Sequence, residues 1–365
     1  MNAASIRKPR LVVTLGDPSG IGPEVVLKAL SNPRFEKQAD VAVIGDRTTL
    51  ITTYERLHNS CPNLRAPDSF EFIDIDVPQS VLKSVLNGLE MGVGNQSSGE
   101  IGFQTLRKAI ALTLSGQFDG IVTAPIAKSA WLAAGHRYPG QTELLAEMSD
   151  TSRFGMAFVA KSPHSEWTMR TLLATTHIPL KDVPQALTPD LMTLKLDLLV
   201  ECLQRDFGLR EAKVAIAGLN PHSGEDGQLG TEERDWLSPW IEQQRARFPN
   251  IQIDGPVPPD TLWVKPGLAW HGQSLQTAHD GYLALYHDQG LIPVKLLAFD
   301  LAVNTTIGLP FVRTSPDHGT AFDIAGKGVA RSQSMEAALE LAIELTTTRI
   351  RQAEVLGSKI PALQV

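Results

Sequence analysis

Two cysteines in 365 residues, Cys61 and Cys202, leave nothing from which to build a disulfide framework. They form no CxxC pair, so no thiolate zinc site is indicated, and a reducing cytoplasm fits their scarcity. Long apolar runs are missing too: none approaches the roughly 20 residues that a membrane-spanning helix needs. The opening MNAASIRKPRLVVTLGDP passes from a short basic tail straight into a strand pattern, so neither an export signal nor a membrane anchor is expected. Runs of Lys or Arg are absent, and 33 basic against 40 acidic residues give a net charge of −7, which is no footprint for nucleic acid. No segment carries G-x-G-x-x-G or the Gly-Lys-Ser/Thr of a P-loop. The stretch GDPSGIGPEV (16–25) has the strand, loop and helix outline of a phosphate loop, but Pro18 and Pro23 remove amides that a phosphate cradle uses. A Rossmann dinucleotide fold is therefore not expected.

What is present is globular in composition, 42% hydrophobic and 20% charged, in a chain long enough for two medium domains. Strand patterns at 11–15, 39–46, 118–123 and 212–217 alternate with helical spacing at 25–30, 46–58, 101–114 and 188–207. That alternation predicts an α/β fold with a parallel, doubly wound sheet. Residues 156–160 and 167–177 read as a pair of strands, and 232–247 as an amphipathic helix. Segment 264–280 reads as an inserted loop whose His271 and His279 lie on the surface. In 135–148, Thr142 is a helix N-cap, a donor to a substrate anion, or both.

The densest chemistry lies in 286–328, YHDQGLIPVKLLAFDLAVNTTIGLPFVRTSPDHGTAFDIAGKG. Apolar runs ending at Tyr286, at 294–299 and at 311–312 read as short strands, which puts the polar residues at strand ends and in loops, where α/β proteins bind ligands. His287 beside Asp288 suits a metal ligand with a carboxylate next to it, or a capped strand end. His177 and His222 likewise follow apolar strand patterns. Parallel strands present their C-terminal ends along one edge, where three imidazoles could face one divalent ion. Segment 317–328 is either a ligand loop, with Asp323 accepting from a ribose, or a capped glycine turn.

HGTAFDIAGKG is similar to the adenine-side cofactor loop of the isocitrate/isopropylmalate dehydrogenase superfamily, and GIGPEV resembles that superfamily's first loop. Together with TTH, NPH, YHDQG and NTTIGLPFVRTS, these motifs resemble the 4-hydroxythreonine-4-phosphate dehydrogenases of pyridoxal phosphate biosynthesis over nearly the whole chain. The resemblance implies two doubly wound α/β/α domains with a cleft between them, here 1–125 plus 300–365 on the cofactor side and 126–299 on the metal and dimer side. It implies a divalent metal (Zn²⁺, Co²⁺ or Mg²⁺) on His177, His222 and His287, three imidazoles suiting Mg²⁺ least. It places Gln141, Thr142, Lys295, Asn304 and Arg313 at the substrate, and NAD or NADP on His318, Gly319, Thr320, Asp323 and Gly326. Lys295, Asp288 and Lys128 are the candidate catalytic groups, the proton acceptor staying open between Asp288, Lys128 and a metal-bound hydroxide. No arginine can be placed on a 2′-phosphate, so the choice between NAD and NADP stays open. The implied reaction oxidises and decarboxylates 4-phosphooxy-L-threonine, in a cytoplasmic homodimer with a shared active site and with neither nucleic acid nor membrane as partner.

Two departures bear on the substrate. Where the family pattern is like PGHTE, this chain has Pro139-Gly140-Gln141-Thr142-Glu143, and glutamine cannot become a cation near neutral pH. The 264–280 segment is the second. Both leave room for a related substrate, a phosphorylated threonate or erythronate or a dihydrodiol carboxylate. The acyl-phosphate transferases of the phosphotransacetylase type, which share the general architecture, are the alternative of another class.

Overall fold

The structure is a computed structural model that describes residues 6–76 and 86–357. Eleven strands run in chain order: β1 Arg10–Thr14, β2 Asp40–Gly45, β3 Glu71–Asp74, β4 Gly120–Thr123, β5 Gly155–Lys161, β6 Thr168–Leu173, β7 Lys213–Ala217, β8 Gln252–Val257, β9 Gly281–Ala284, β10 Val303–Ile307 and β11 Val312–Pro316. The chain divides into two compact units, one of Met1–Ser152 with Leu309–Val365, the other Arg153–Gly308.

In the first unit the strand order is β3-β2-β1-β4-β11, and every pair is parallel. β1, β2 and β4 are mostly apolar, as buried parallel strands are, whereas β11 buries the polar run Val-Arg-Thr-Ser-Pro and β3 is only partly buried. Helix Gln96–Leu114 packs Leu106 and Ile110 against Val12 and Ile121. It starts five residues before the apolar periodicity does, because Asn95 and Ser98 close a reciprocal capping box, a device that contributes about 1 kcal/mol. Helix Arg47–Leu57 begins where expected, since Asp46 accepts from the Thr49 amide. In helix Gln141–Met148, by contrast, the N-cap is Gly140 and Thr142 lies inside the first turn, so Thr142 is not the cap.

The second unit has the order β10-β5-β6-β9-β7-β8. β10, β5 and β6 pair antiparallel, as the expected 156–160 and 167–177 pair requires, whereas β6, β9, β7 and β8 run parallel. The sheet is thus mixed, which the sequence alternation did not reveal. One core sets helix Pro189–Arg205, capped by Thr188, against Val214, Ile216 and Tyr282. The other sets Val294 and Trp270 against Phe158 and Leu173.

Three expectations fail here. Residues 294–299 are not a strand: they belong to helix His287–Ala298 and its cap, whose apolar Leu291, Val294 and Ala298 follow helical spacing. Segment 264–280 is no simple loop, because helix Val264–Trp270 buries Pro266, Ala269 and Trp270. And His279 is not a surface residue: it is 5% exposed, its Nε2 2.8 Å from Asp254 Oδ2, whereas His271 is exposed.

Candidate active site

In the second unit, β6, β9 and β7 are neighbours and parallel, so the segments that leave their C-terminal ends start side by side. Those segments carry His177, His287 and His222. Their starts are tied together: Thr175 donates through both its amide (3.2 Å) and Oγ1 (2.8 Å) to the Leu285 carbonyl. Buried Gln289 accepts from the Leu285 amide at 2.7 Å and donates to the Gly218 carbonyl at 2.8 Å. A chain of short hydrogen bonds thus runs from the β6 tip through β9 to β7.

The rings of His177 and His287 lie 5.5 Å apart, centroid to centroid. His287 opens its helix, and its Nδ1 is 2.8 Å from Asp288 Oδ1. A proton held on Nδ1 by that carboxylate leaves the Nε2 lone pair outward, the second-sphere arrangement that metal-ligating histidines use. His222 sits in an uncommon backbone: 222–226 all have φ between 44° and 81°, and only Gly224 among them lacks a Cβ. Such strain persists only where the surroundings fix it. The fixing group is Glu233, 3% exposed, whose Oε1 accepts from the amides of Leu219 and Asn220 at 2.8 and 2.7 Å. Asn220 in turn donates to the carboxylates of Glu232 and Glu233. Two imidazoles supply part of a divalent-ion site, but among the described residues no group of three or more His, Cys, Asp or Glu side chains is placed to hold a metal ion, so His222 does not join His177 and His287 in one cluster.

Lys295 and Asn304 belong to this unit. Lys295 lies on helix His287–Ala298 with Nζ 5.3 Å from the Phe299 ring centre, and Asn304, on β10, has a buried Oδ1 without a hydrogen-bond partner. That orphaned acceptor is the kind of atom a ligand donor satisfies.

In the first unit, Arg313 on β11 is 4% exposed and donates through Nε and Nη2 to Thr123 Oγ1 at 3.1 and 2.8 Å. Burial pulls its pKa down to about 10, with the Glu143 carboxylate acting the other way, so it stays a cation in a poorly solvated place. Gln141 donates from Nε2 to the Ala124 carbonyl at 3.1 Å, while its Oε1 is buried and unpartnered. Gly140 lies beside Glu143 Oε2 and the end of the Lys128 side chain. The structure therefore gathers Arg313, Gln141 and Lys128 around the β4 terminus, with Thr142 partly buried beside them.

The 318–326 loop docks on the first loop. The Thr320 carbonyl accepts from the Ile21 amide at 2.9 Å, and a Cβ on Gly20 would stand 2.9 Å from Thr320. His318 Nδ1 is 3.0 Å from the Gly319 carbonyl, its Nε2 buried without a partner, and Asp323 and Gly319 are exposed. Beneath lies Asp17, whose carboxyl is pushed up to about 6 by burial, against the pull of hydrogen bonds from Ser19 and Ser98. The sequence reading missed Asp17, Glu143 and Glu233, as well as Arg56, whose Nη1 lies 2.6 Å from where a Cβ on Gly326 would stand. Only Glu233, thirteen residues from the turn it holds, lacked any local signal; the others lie in or next to motifs already noted.

A family model described as pyridoxal phosphate biosynthetic protein PdxA matches residues 37–342. A 4-hydroxythreonine-4-phosphate dehydrogenase of Synechocystis sp. is 60% identical over 345 residues, 94% of this chain and 97% of that relative. A D-threonate 4-phosphate dehydrogenase of Cupriavidus necator is 38% identical, over 93% of this chain and 98% of that one. The crystal structure of a 4-hydroxythreonine-4-phosphate dehydrogenase from Klebsiella pneumoniae, 35% identical, matches with a TM-score of 0.76 and covers 93% of this chain and 100% of that one. The chain belongs to the PdxA family of pyridoxal phosphate biosynthetic proteins.

Proposed function

We propose that this protein oxidises the secondary alcohol of 4-phosphooxy-L-threonine with NAD or NADP, the resulting β-keto acid losing CO2 to give 3-amino-2-oxopropyl phosphate. The observation that carries the reading is the adjacency of parallel β6, β9 and β7, whose exits bear His177, His287 and His222. His177, His222 and His287 would hold a divalent ion, Zn²⁺, Co²⁺ or Mg²⁺, which would supply a Lewis acid for the alcohol oxygen, and a bound nicotinamide would supply the hydride acceptor.

The chain's own residues do the rest. Asp288 fixes the His287 ring and its tautomer, and the Glu233 carboxylate holds the turn that carries His222. Arg313, poorly solvated and always charged, is the fork for a phosphate or carboxylate, with Gln141 a neutral neighbour. Lys295 and Asn304 act on the substrate, and Asp288 or Lys128 receives the alcohol proton. His318, Gly319, Thr320, Asp323 and Gly326 hold the adenosine end of the cofactor, Asp323 through the ribose.

A homodimer is supported by helix His287–Ala298, whose Ile292 and Leu296, with Phe299 at its cap, are exposed at i, i+4 and i+7, Leu296 to 81%. A cytoplasmic location fits the absence of a disulfide between Cys61 and Cys202, and among the described residues no helix is long and apolar enough to cross a membrane. The second reading, a phosphorylated threonate or erythronate as substrate, is favoured by one observation: Gln141 supplies an amide, not a cation, beside Arg313's strand partner. Steady-state turnover of 4-phosphooxy-threonine and 4-phospho-threonate, each with NAD or NADP and each metal, separates the readings. A preference for the threonate overturns the first, and no cofactor reduction with either substrate overturns both.

A further inference from the structure

One ion pair lies against the end of the 318–326 loop and has no part in the groups assigned so far. Glu24 and Lys28 stand one turn apart on the same face of helix Gly22–Leu30, their side chains 2% and 16% exposed. The Lys28 ammonium has three N–H groups, and all are engaged at 2.8 Å: with Glu24 Oε1, the Gly328 carbonyl and the Ala330 carbonyl. Glu24 Oε1 also accepts from the Ala330 amide at 2.8 Å, so both polar backbone groups of Ala330, 306 positions along the chain from Glu24, are tied to the pair.

The other end of the loop is pinned to the start of the same helix, where the Ile21 amide donates to the Thr320 carbonyl. Ile21 and Lys28 are about 10 Å apart along the helix axis. Residues 320–330 are thus held at both ends by one rigid element, while Asp323, Lys327 and Val329 between them stay exposed. Stability alone does not explain the pair. Glu24 Oε2 is buried without a hydrogen-bond partner, and a largely buried ion pair with an unsatisfied oxygen recovers little of what both charges lose on leaving water. What the pair does supply is geometry, two carbonyls and one amide fixed to a helix.

We propose that Glu24 and Lys28 are positioning residues for the cofactor loop: by fastening 328–330 to helix Gly22–Leu30 they pre-order the segment that takes the adenosine end, and so set the affinity for the dinucleotide and not for the substrate. The inference rests on the reading of 318–326 as the cofactor loop. A loop that must be ordered when its ligand arrives loses affinity to that ordering, and a loop already fastened at both ends does not.

The whole chain carrying Lys28→Met, Glu24→Gln/Lys28→Met, Lys28→Arg or Asp323→Ala is compared with the parent. The measurements are calorimetric titration with NAD, NADP and AMP, KM for cofactor and for substrate, amide exchange of 318–330, and thermal melting. Lys28→Met alone leaves a buried carboxylate uncompensated; the double variant removes both charges and keeps an acceptor for the Ala330 amide, so it carries the test where the single variant fails to fold. In the Lys28→Met variants, dissociation constants and KM for the dinucleotides should rise at least about tenfold, AMP should weaken in parallel, and exchange of 318–330 should quicken. Substrate KM and kcat at saturating cofactor should hold, and the double variant should melt at the parent's temperature. Lys28→Arg, which can donate to the same carbonyls, should recover part of the affinity. A fall in melting temperature with cofactor affinity unchanged overturns the proposal, because the pair is then structural only, and so does an equal loss for substrate and cofactor. If Asp323→Ala weakens the dinucleotides and the Lys28 variants do not, the loop reading stands and the role of the pair falls. If Asp323→Ala changes nothing, or the parent binds neither dinucleotide, the loop reading falls and the inference with it.

Discussion

Replacing Asp17 with asparagine should stabilise the protein at pH 8 and leave it nearly unchanged at pH 4. Asp17 is 1% exposed, and burial pushes its carboxyl up to about 6 from an ordinary 3.8. Between those values the folded state keeps a proton that the unfolded chain has released, so stability falls as pH rises through the window and is level beyond both ends. At about 1.4 kcal/mol per pH unit, the gap of about two units corresponds to about 3 kcal/mol of destabilisation above pH 6. The local bonds survive the change: an asparagine oxygen can accept from the Ser19 amide, as Asp17 Oδ1 does at 2.9 Å. Its amide can donate to Ser98 Oγ, which now donates to Asp17 Oδ2 at 3.1 Å. The gain at pH 8 should therefore be about 2–3 kcal/mol, a rise of several degrees in melting temperature. Thermal melts of parent and variant from pH 4 to 8 give the difference curve, in which the protein's other titrations cancel. A flat difference, or a variant less stable at pH 8, refutes the argument that desolvation of this carboxylate dominates.

Other outcomes follow from the sites. His177→Ala and His287→Ala should each weaken binding of Zn²⁺ or Co²⁺ at least about tenfold in equilibrium dialysis with the melting temperature kept; unchanged affinity in the double variant would show the ion held elsewhere. Asp323→Ala should raise KM for the cofactor several-fold while KM for substrate stays put, and an effect confined to substrate would remove it from the cofactor. Gln141→His adds a group that can be charged near Arg313, where charge-assisted bonding exceeds a neutral bond by roughly 1 kcal/mol, so KM for 4-phosphooxy-threonine should fall about fivefold at pH 6 and less at pH 8. Efficient turnover by the parent without improvement in the variant means that glutamine carries no change of specificity.

The parallel sheet of the first unit and most helices were legible because their signals are local: apolar runs for buried strands, and caps such as Asp46 and Thr188 at helix starts. The placement of the three histidines was legible in kind, since each follows a strand pattern, but not their adjacency, which depends on β9 lying between β6 and β7. Residues 294–299 misled because a short apolar run fits strand and helix alike, and only packing against Phe158 and Leu173 decides. His279 misled for a similar reason: Asp254, its partner, lies on another strand. Glu233 was invisible because its role is to accept backbone amides in a turn that is not its own, and no residue spacing encodes that.

The first unit is interrupted in sequence: β4 precedes the whole of 153–308, and its outer neighbour β11 follows it. On a ribosome moving at 5–20 residues per second, that leaves β4 without its last partner for roughly 9–40 s, far longer than strands take to pair. The second unit, being continuous, can complete itself in that interval, while the first waits with an open sheet edge. Arg313 arrives on the last strand made, so the proposed phosphate fork is absent from any chain released before β11 is in place. A truncated product therefore carries all three histidines of the proposed metal site without the cation proposed for the phosphate, and synthesis itself delays the complete set of groups until the sheet is closed.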